Sequence, residues 1–284
     1  VDLCFFGGGN MASALIGGLM QGRVPLRRLH VIEPQATVRE SLMKKFSAAA
    51  QSRATQWAID AQGPADIANW GSEDLWLVMA VKPQHMREAC QEASAGLKSH
   101  LRNASILSIA AGISIDALST WCGNTHIVRA MPNTPALVGQ GITGLFAHAD
   151  VSAEKRVQAE QLMQAVGQTV WVGDESLMDA VTALSGSGPA YVFLFMEALS
   201  QAGVRLGLNA EQSILLARAT LEGALALLNA SEETPAQLRE KVTSKGGTTA
   251  AALAHLDQAG FTRIIEAAVK AARDRGAEMS SQYR

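Results

Sequence analysis

The stretch LCFFGGGNMA (residues 3–12) decides how the rest of this 284-residue chain is read. Leu3 to Phe6 make a short apolar strand, and Gly7, Gly8 and Gly9 follow it without a polar spacer. Asn10, Met11 and Ala12 then open a helical segment that runs to Gly22. G-x-G-x-x-A between a strand and a helix is the pattern of a dinucleotide-binding turn. The first glycine permits the tight turn, the second admits a pyrophosphate to the backbone, and the small third residue lets helix and strand pack closely. The bare pattern is weak and also fits a purely structural turn; the strand–turn–helix setting gives it weight.

Outward from this turn, short apolar runs alternate with helical patterns. LHVI (29–32), LWLVMAV (75–81), SILSIA (105–110), HIVRA (126–130), GITGLF (141–146) and TVWV (169–172) read as strands. Helical stretches fall near 36–49, 83–97 and 153–166. Continuous apolar strands in βαβα order predict a doubly wound, parallel α/β sheet covered on both faces. Beyond Gly173 strands give way to helices over 192–208, 213–228 and 261–275. The first of these is apolar around much of its circumference, so a helical domain of this size is expected to be completed by a second subunit. The expected division is 1–172 for the dinucleotide domain and 173–284 for the helical domain. The stretch 52–72 is the least legible, and Trp57 and Trp70 in it read as packing residues.

Composition narrows the classes. Hydrophobic residues make up 48% and charged residues 18%, with a net charge of −2. No basic run supports nucleic-acid binding. The nearly uncharged stretches are interrupted by Pro and Gly, which argues against a membrane span. Cys4, Cys90 and Cys122 are far apart and the six histidines lack ligand spacing, so neither a disulfide framework nor a metal site is expected. The N-terminus lacks the basic leader of an export signal, and the chain reads as a cytoplasmic protein.

Glu33, just past the second strand, is the acidic cue of such folds. A carboxylate there bonds the ribose 2′-OH of NAD(H) and repels the phosphate of NADP(H), whereas nearby Arg39 suits that phosphate. A solvated surface acid is the plainer alternative, and the choice of coenzyme stays open. Further blocks sit at strand ends or helix starts. Lys82, in AVKPQ (80–84), emerges at the carboxyl edge of the sheet, or else is a surface residue with a packed stem. Ala110, Ala111 and Gly112 are small enough to admit a flat ring. Arg129 begins the stiff turn RAMPNTP (129–135). SGSGPA (185–190) opens a helix with two hydroxyls near free amides, and TSKGGTT (243–249) precedes another.

Together these blocks resemble pyrroline-5-carboxylate reductase. The likeness runs in order through FFGGGNMA (5–12), AVKPQ, SIAAGIS (108–114), VRAMPNTP (128–135), LSGSGPAYVF (184–193) and VTSKGGTTAAAL (242–253). SGSGPAY together with TSKGGTT is the specific part. The resemblance implies a Rossmann-type doubly wound domain followed by an all-α dimerisation domain, in dimers that sometimes build a decamer. It implies NADP(H), with NAD(H) also possible, as coenzyme for reduction of the cyclic imine to L-proline. By matching position, Phe6, Gly7, Gly8, Gly9, Asn10, Met11 and Ala12 would line the coenzyme. Ala80, Val81, Lys82 and Pro83, and then Ala110, Ala111 and Gly112, would do the same. Thr249 would bond the substrate nitrogen, the amides around Gly246, Gly247 and Thr248 would hold its carboxylate, and Glu175 would lie near it.

A hydroxyl suits the nitrogen because it accepts from iminium and donates to imine. A plainer role for Thr249 is to cap its helix. The nearest alternative is a β-hydroxyacid dehydrogenase, whose catalytic Lys follows the domain junction. DAVTALSGSGPAYVF (179–193) contains no Lys. A catalytically silent dinucleotide-binding protein is the other.

Overall fold

In the computed structural model, described here over residues 1–22, 24–61 and 74–283, eight strands form one sheet in the order β3-β2-β1-β4-β5-β6-β7-β8. β1 (Asp2–Phe6), β2 (Arg28–Ile32), β3 (Gln56–Asp60), β4 (Leu75–Met79), β5 (Ser105–Ser108) and β6 (Ile127–Met131) run parallel. Successive side chains point to opposite faces. Leu3 and Phe5 therefore enter a core with α1 (Asn10–Gln21), α2 (Ala36–Ser52) and, further along the sheet, α5 (Ala153–Gln164). Cys4 and Phe6 enter a second core with α3 (Met86–Leu97) and α4 (Ile115–Cys122). Every residue of β1 and β4 is buried, which explains the unbroken apolar runs of Leu3–Phe6 and β4, while buried Asp2 is paired with Arg27.

The expected parallel, doubly covered sheet is thus present, with one reversal. β7 (Gly141–Ala147) is antiparallel to β6 because the turn through PNTPALVGQ is too short for a crossover helix. α5 then brings β8 (Gly167–Trp171) back parallel to β7. β3 and α4 are among the elements that the sequence reading does not contain. β3 is an edge strand with alternating exposure, pinned by Trp57 edge-on to Phe46 at 6.2 Å. Trp57 is a packing residue, as expected, whereas Trp70 lies outside the described residues. α4 is short and set by its ends: Ser114 accepts from the Ala117 N–H, and Gly123 at φ +66° stops it.

The chain divides into two compact units, one of Val1–Ser187 with Ala272–Arg284 and one of Gly188–Ala271. Residues 173–187 group with the first unit through local packing: α6 (Leu177–Val181) and a π turn over Thr182–Gly186 bury Met178 and Ala183. Val181 seats where any side chain on Gly144 of β7 would stand, with a Cβ there 2.5 Å from it. The second unit is helical: α7 (Gly188–Arg205), α8 (Ala210–Asn229), α9 (Pro235–Lys241), α10 (Thr248–Gln258) and most of α11 (Phe261–Ser281). α8 and α9 each begin with a reciprocal capping box, Asn209 with Gln212 and Thr234 with Gln237. No helix among the described residues is long and apolar enough to cross a membrane.

Candidate active site

The parallel register lines up one residue past each strand at the carboxyl edge of the sheet. Phe6 pairs with Ile32 and with Met79, and Met79 pairs with Ser108. Gly7, Glu33, Ala80 and Ile109 therefore stand side by side. Three backbone bonds extend the ladder there: Gly7 N–H to Ile32 O at 2.8 Å, Ala80 N–H to Phe6 O at 2.8 Å and Ile109 N–H to Met79 O at 3.1 Å. Strand order reverses between β1 and β4, so this is the crevice where open α/β sheets bind ligands.

The glycine turn fits a pyrophosphate. Gly7 adopts φ +99°, and a Cβ on it would lie 2.7 Å from the Ala80 carbonyl oxygen, so a larger residue is excluded twice over. Gly9 is exposed, nothing stands within 4 Å of where its Cβ would be, and it caps α1 without a side chain. The amides of Asn10, Met11 and Ala12 at the positive end of α1 are thereby left open to an anion. Ala12 is buried against the core and gives the close helix–strand packing.

Glu33 is not the solvated surface acid of the plainer alternative. It is buried, its Oε2 accepting from the Gly8 N–H and its Oε1 from the Gln35 N–H, both at 2.8 Å. It thus holds the glycine turn against the end of β2. Arg39, half-buried, donates through Nη1 to the carbonyls of Glu33 at 2.8 Å and Pro34 at 2.6 Å. A guanidinium and a carboxylate both stand where the adenosine end of a dinucleotide would lie.

Val81 packs beside the turn, 3.1 Å from the position of a Cβ on Gly7. Lys82 is exposed and precedes a single 3₁₀ turn over Pro83–His85. Ala110 is buried, and Gly112 turns at φ +76° into the loop before α4. All the candidate coenzyme residues belong to the first unit, and so does Glu175. The Glu175 carboxylate is already engaged: Oε1 accepts from Arg129 Nη1 at 2.6 Å and from the Ile115 N–H at 2.8 Å. Sequence reading singled out Arg129 only for its place at a stiff turn. Its partner lies 46 residues away, a separation no local spacing rule reveals.

The Ser185 hydroxyl of SGSGPA does not cap the following helix. Ser185 Oγ donates back to the Val181 carbonyl at 2.9 Å inside the π turn, and its own carbonyl accepts from Asn133 Nδ2 at 3.1 Å. Gly246 to Thr249 belong to the second unit. Gly246 turns at φ +74°, and Gly247, not Thr249, caps α10, again without a side chain. The Thr248, Thr249 and Ala250 amides form its open first turn. Among the described residues neither threonine hydroxyl has a hydrogen-bond partner in the chain. Three free amides and two free hydroxyls on one helix start suit a small carboxylate with a polar atom beside it.

A parallel sheet in 3-2-1-4-5-6 order, with an uncapped glycine turn at its reversal point, defines the dinucleotide-binding domain of an NAD(P)H-dependent oxidoreductase. Residues 2–112 match a family model described as NADP oxidoreductase, coenzyme F420-dependent, and residues 175–279 match one described as pyrroline-5-carboxylate reductase dimerisation. The chain belongs to the pyrroline-5-carboxylate reductase family. It is 43% identical over 282 residues to the pyrroline-5-carboxylate reductase of Pseudomonas aeruginosa, covering 99% of this chain and 97% of that one. The structure of a pyrroline-5-carboxylate reductase from Coxiella burnetii superposes with a TM-score of 0.84 at 35% identity, over 98% of each chain. A Plasmodium falciparum pyrroline carboxylate reductase solved with NADP bound gives 0.76 at 28% identity, over 99% of this chain and 98% of that one. The protein is accordingly an oligomer built on a dimerisation domain.

Proposed function

We propose that this protein reduces 1-pyrroline-5-carboxylate to L-proline, with Thr249 and the open start of α10 as its substrate site. The observation that carries this reading is the second uncapped helix start, Gly246–Thr249, with its free amides and unpartnered hydroxyls. The Thr248 and Thr249 amides hold the substrate carboxylate, and glycine at 246 and 247 leaves room for it. Thr249 Oγ1 orients the ring nitrogen, and with the substrate bound as its protonated iminium, hydride addition at carbon gives the neutral amine with no further proton, so no strong acid is required. The bound nicotinamide supplies the hydride to the imine carbon. The chain's part at that end is to hold the pyrophosphate on the α1 amides and the ring beside Ala110–Gly112.

For the coenzyme we take NADPH as the preferred donor, with NADH also used. Glu33 spends both carboxylate oxygens on backbone amides, which tempers its repulsion, and Arg39 stands beside it to meet a 2′-phosphate. The NADP bound by the Plasmodium relative supports the same choice. The dimers are proposed to assemble further into a decamer, following the family resemblance, and the reaction is placed in the cytoplasm, in keeping with three unpaired, buried thiols. The test is spectrophotometric: NADPH and NADH at equal concentration, with pyrroline-5-carboxylate as acceptor. Consumption with both, faster with NADPH, is expected, and Arg39→Ala is expected to remove most of the difference. Coenzyme binding without consumption, or robust oxidation of 3-hydroxy acids instead, would overturn the reading.

A further inference from the structure

Glu175 stands in the segment expected to reach substrate, yet its surroundings assign it other work. Its Oε1 serves two donors, the Arg129 guanidinium and the first backbone amide of α4. The Arg129 side chain is only 9% exposed, so this carboxylate is its charge partner in a place where an unpaired cation is strongly disfavoured. Ile115, whose amide Glu175 anchors, lies three residues beyond Gly112. The chain from Ala110 to Gly112 is therefore tied down at the point where it enters α4.

The same short segment reaches that loop by a second route. Asp179, one turn further on, lies with Oδ1 3.4 Å from Ser280 Oγ, whose one proton is shared between it and the nearer Gly276 carbonyl at 2.9 Å. Ser280 in turn stands against Gly112, where an added Cβ would lie 3.4 Å from its Oγ. Gly112 at φ +76° is thus backed by Ser280 on one side and followed by an anchored helix start on the other. These contacts all lie within the first unit.

We propose that Glu175 is a positioning residue for the coenzyme: with Arg129 it fixes the Ala110–Gly112 loop beside the nicotinamide, and it does not touch the imine. This rests on the assignment of that loop to the coenzyme under the proposed function. Removing the carboxylate frees the start of α4 and strands Arg129, which loosens the loop, while the amides and hydroxyls of Gly246–Thr249 are untouched.

The decisive measurement is the coenzyme Kd by NADPH fluorescence titration without imine, set beside the two KM values. Glu175→Ala is expected to raise the NADPH Kd about tenfold and the imine KM less than about twofold. Glu175→Gln keeps an acceptor for both donors and is expected to restore the Kd to within about threefold of the parent. If Glu175→Ala does not fold, Ser280→Ala, outside the Arg129–Glu175 pair, is expected to raise the coenzyme Kd about two- to threefold with the imine KM unchanged. An unchanged coenzyme Kd in Glu175→Ala, or in Ser280→Ala where that variant stands in for it, overturns the proposal, as does a rise confined to the imine KM. A parent enzyme that binds NADPH but leaves the imine unreduced defeats the functional reading alone, because the titration still decides the role of Glu175.

Discussion

The two units of this chain bury their apolar residues very differently. In the first, β1 and β4 are wholly buried between two cores, and Leu3, Phe5, Phe6 and Trp76 have almost no exposure. In the second, Ser213 and Ala217 are the only buried residues of Gly188–Ala271. Phe193, Leu194, Leu215, Leu216, Leu225, Leu227 and Ile264 are all more than half exposed there. Capping boxes give these helices defined starts, but capping cannot supply a core. The first unit is a domain by its own packing, whereas the second gains its core from another copy, in agreement with its dimerisation-family match. Each apolar side chain covered in this way contributes about 1.5–3 kcal/mol.

The sharpest way to break this contrast is to charge the bare helical surface. Leu225→Asp is expected to shift the protein to monomer in light scattering and to lower turnover on the order of a hundredfold. Coenzyme binding to the first unit should persist. A dimeric, active variant would mean that α8 is not covered. The next test strikes the self-sufficient unit. Gly7→Ala forces a side chain into φ +99° and against the Ala80 carbonyl, so it should cost roughly 1–3 kcal/mol in thermal or chemical unfolding and weaken NADPH binding. Wild-type stability and affinity together would show that the turn yields.

Thr249→Ala removes one hydroxyl from the open helix start and should lower kcat/KM for the imine by the equivalent of ~1–3 kcal/mol, with assembly and coenzyme Kd unchanged. Full activity would remove the hydroxyl from the mechanism. The smallest effect concerns the closed core. Burial pushes the Cys4 thiol up from its ordinary value of 9.0, and a hydrogen bond to Cys90 together with burial does the same to Cys122. Below pH 9 these thiols are protonated in folded and unfolded chain alike. Above it the unfolded chain releases protons that the folded one retains, so stability falls by up to ~1.4 kcal/mol per pH unit for each thiol. Denaturant titrations at pH 8 and pH 10 check this. Replacing Cys122 by Ala should flatten the slope, and an identical slope would contradict the burial.

Much of this was legible before any coordinates, and for identifiable reasons. The glycine turn could be read because its three requirements (positive φ at Gly7, an open approach at Gly9, a small Ala12) are each local. Long apolar strands such as 75–79 announce themselves, whereas β3 alternates at a sheet edge and α4 is only eight residues long. β7 is legible as the strand GITGLF, but its antiparallel direction is not, because direction is set by the length of the connection and not by strand composition. TSKGGTT singles out Thr249, whose plainer role as a cap falls instead to Gly247. Glu175 was placed near substrate by position alone, and nothing local pointed to Arg129.

The sequence by itself determined the dinucleotide turn, the class of sheet, the presence of a helical second unit in need of a partner, and the threonine-bearing glycine loop. These are properties of residues close together in the chain or of hydrophobic pattern, which the backbone expresses wherever it folds. Only the tertiary structure decided that Glu33 is spent on the Gly8 and Gln35 amides, that Glu175 is the partner of buried Arg129 and the anchor of α4, and that Ser280 backs Gly112. A carboxylate pairs with whatever donor the fold brings within about 3 Å. For Glu175 and Arg129 that neighbour comes from strand register and helix packing across 46 residues of chain.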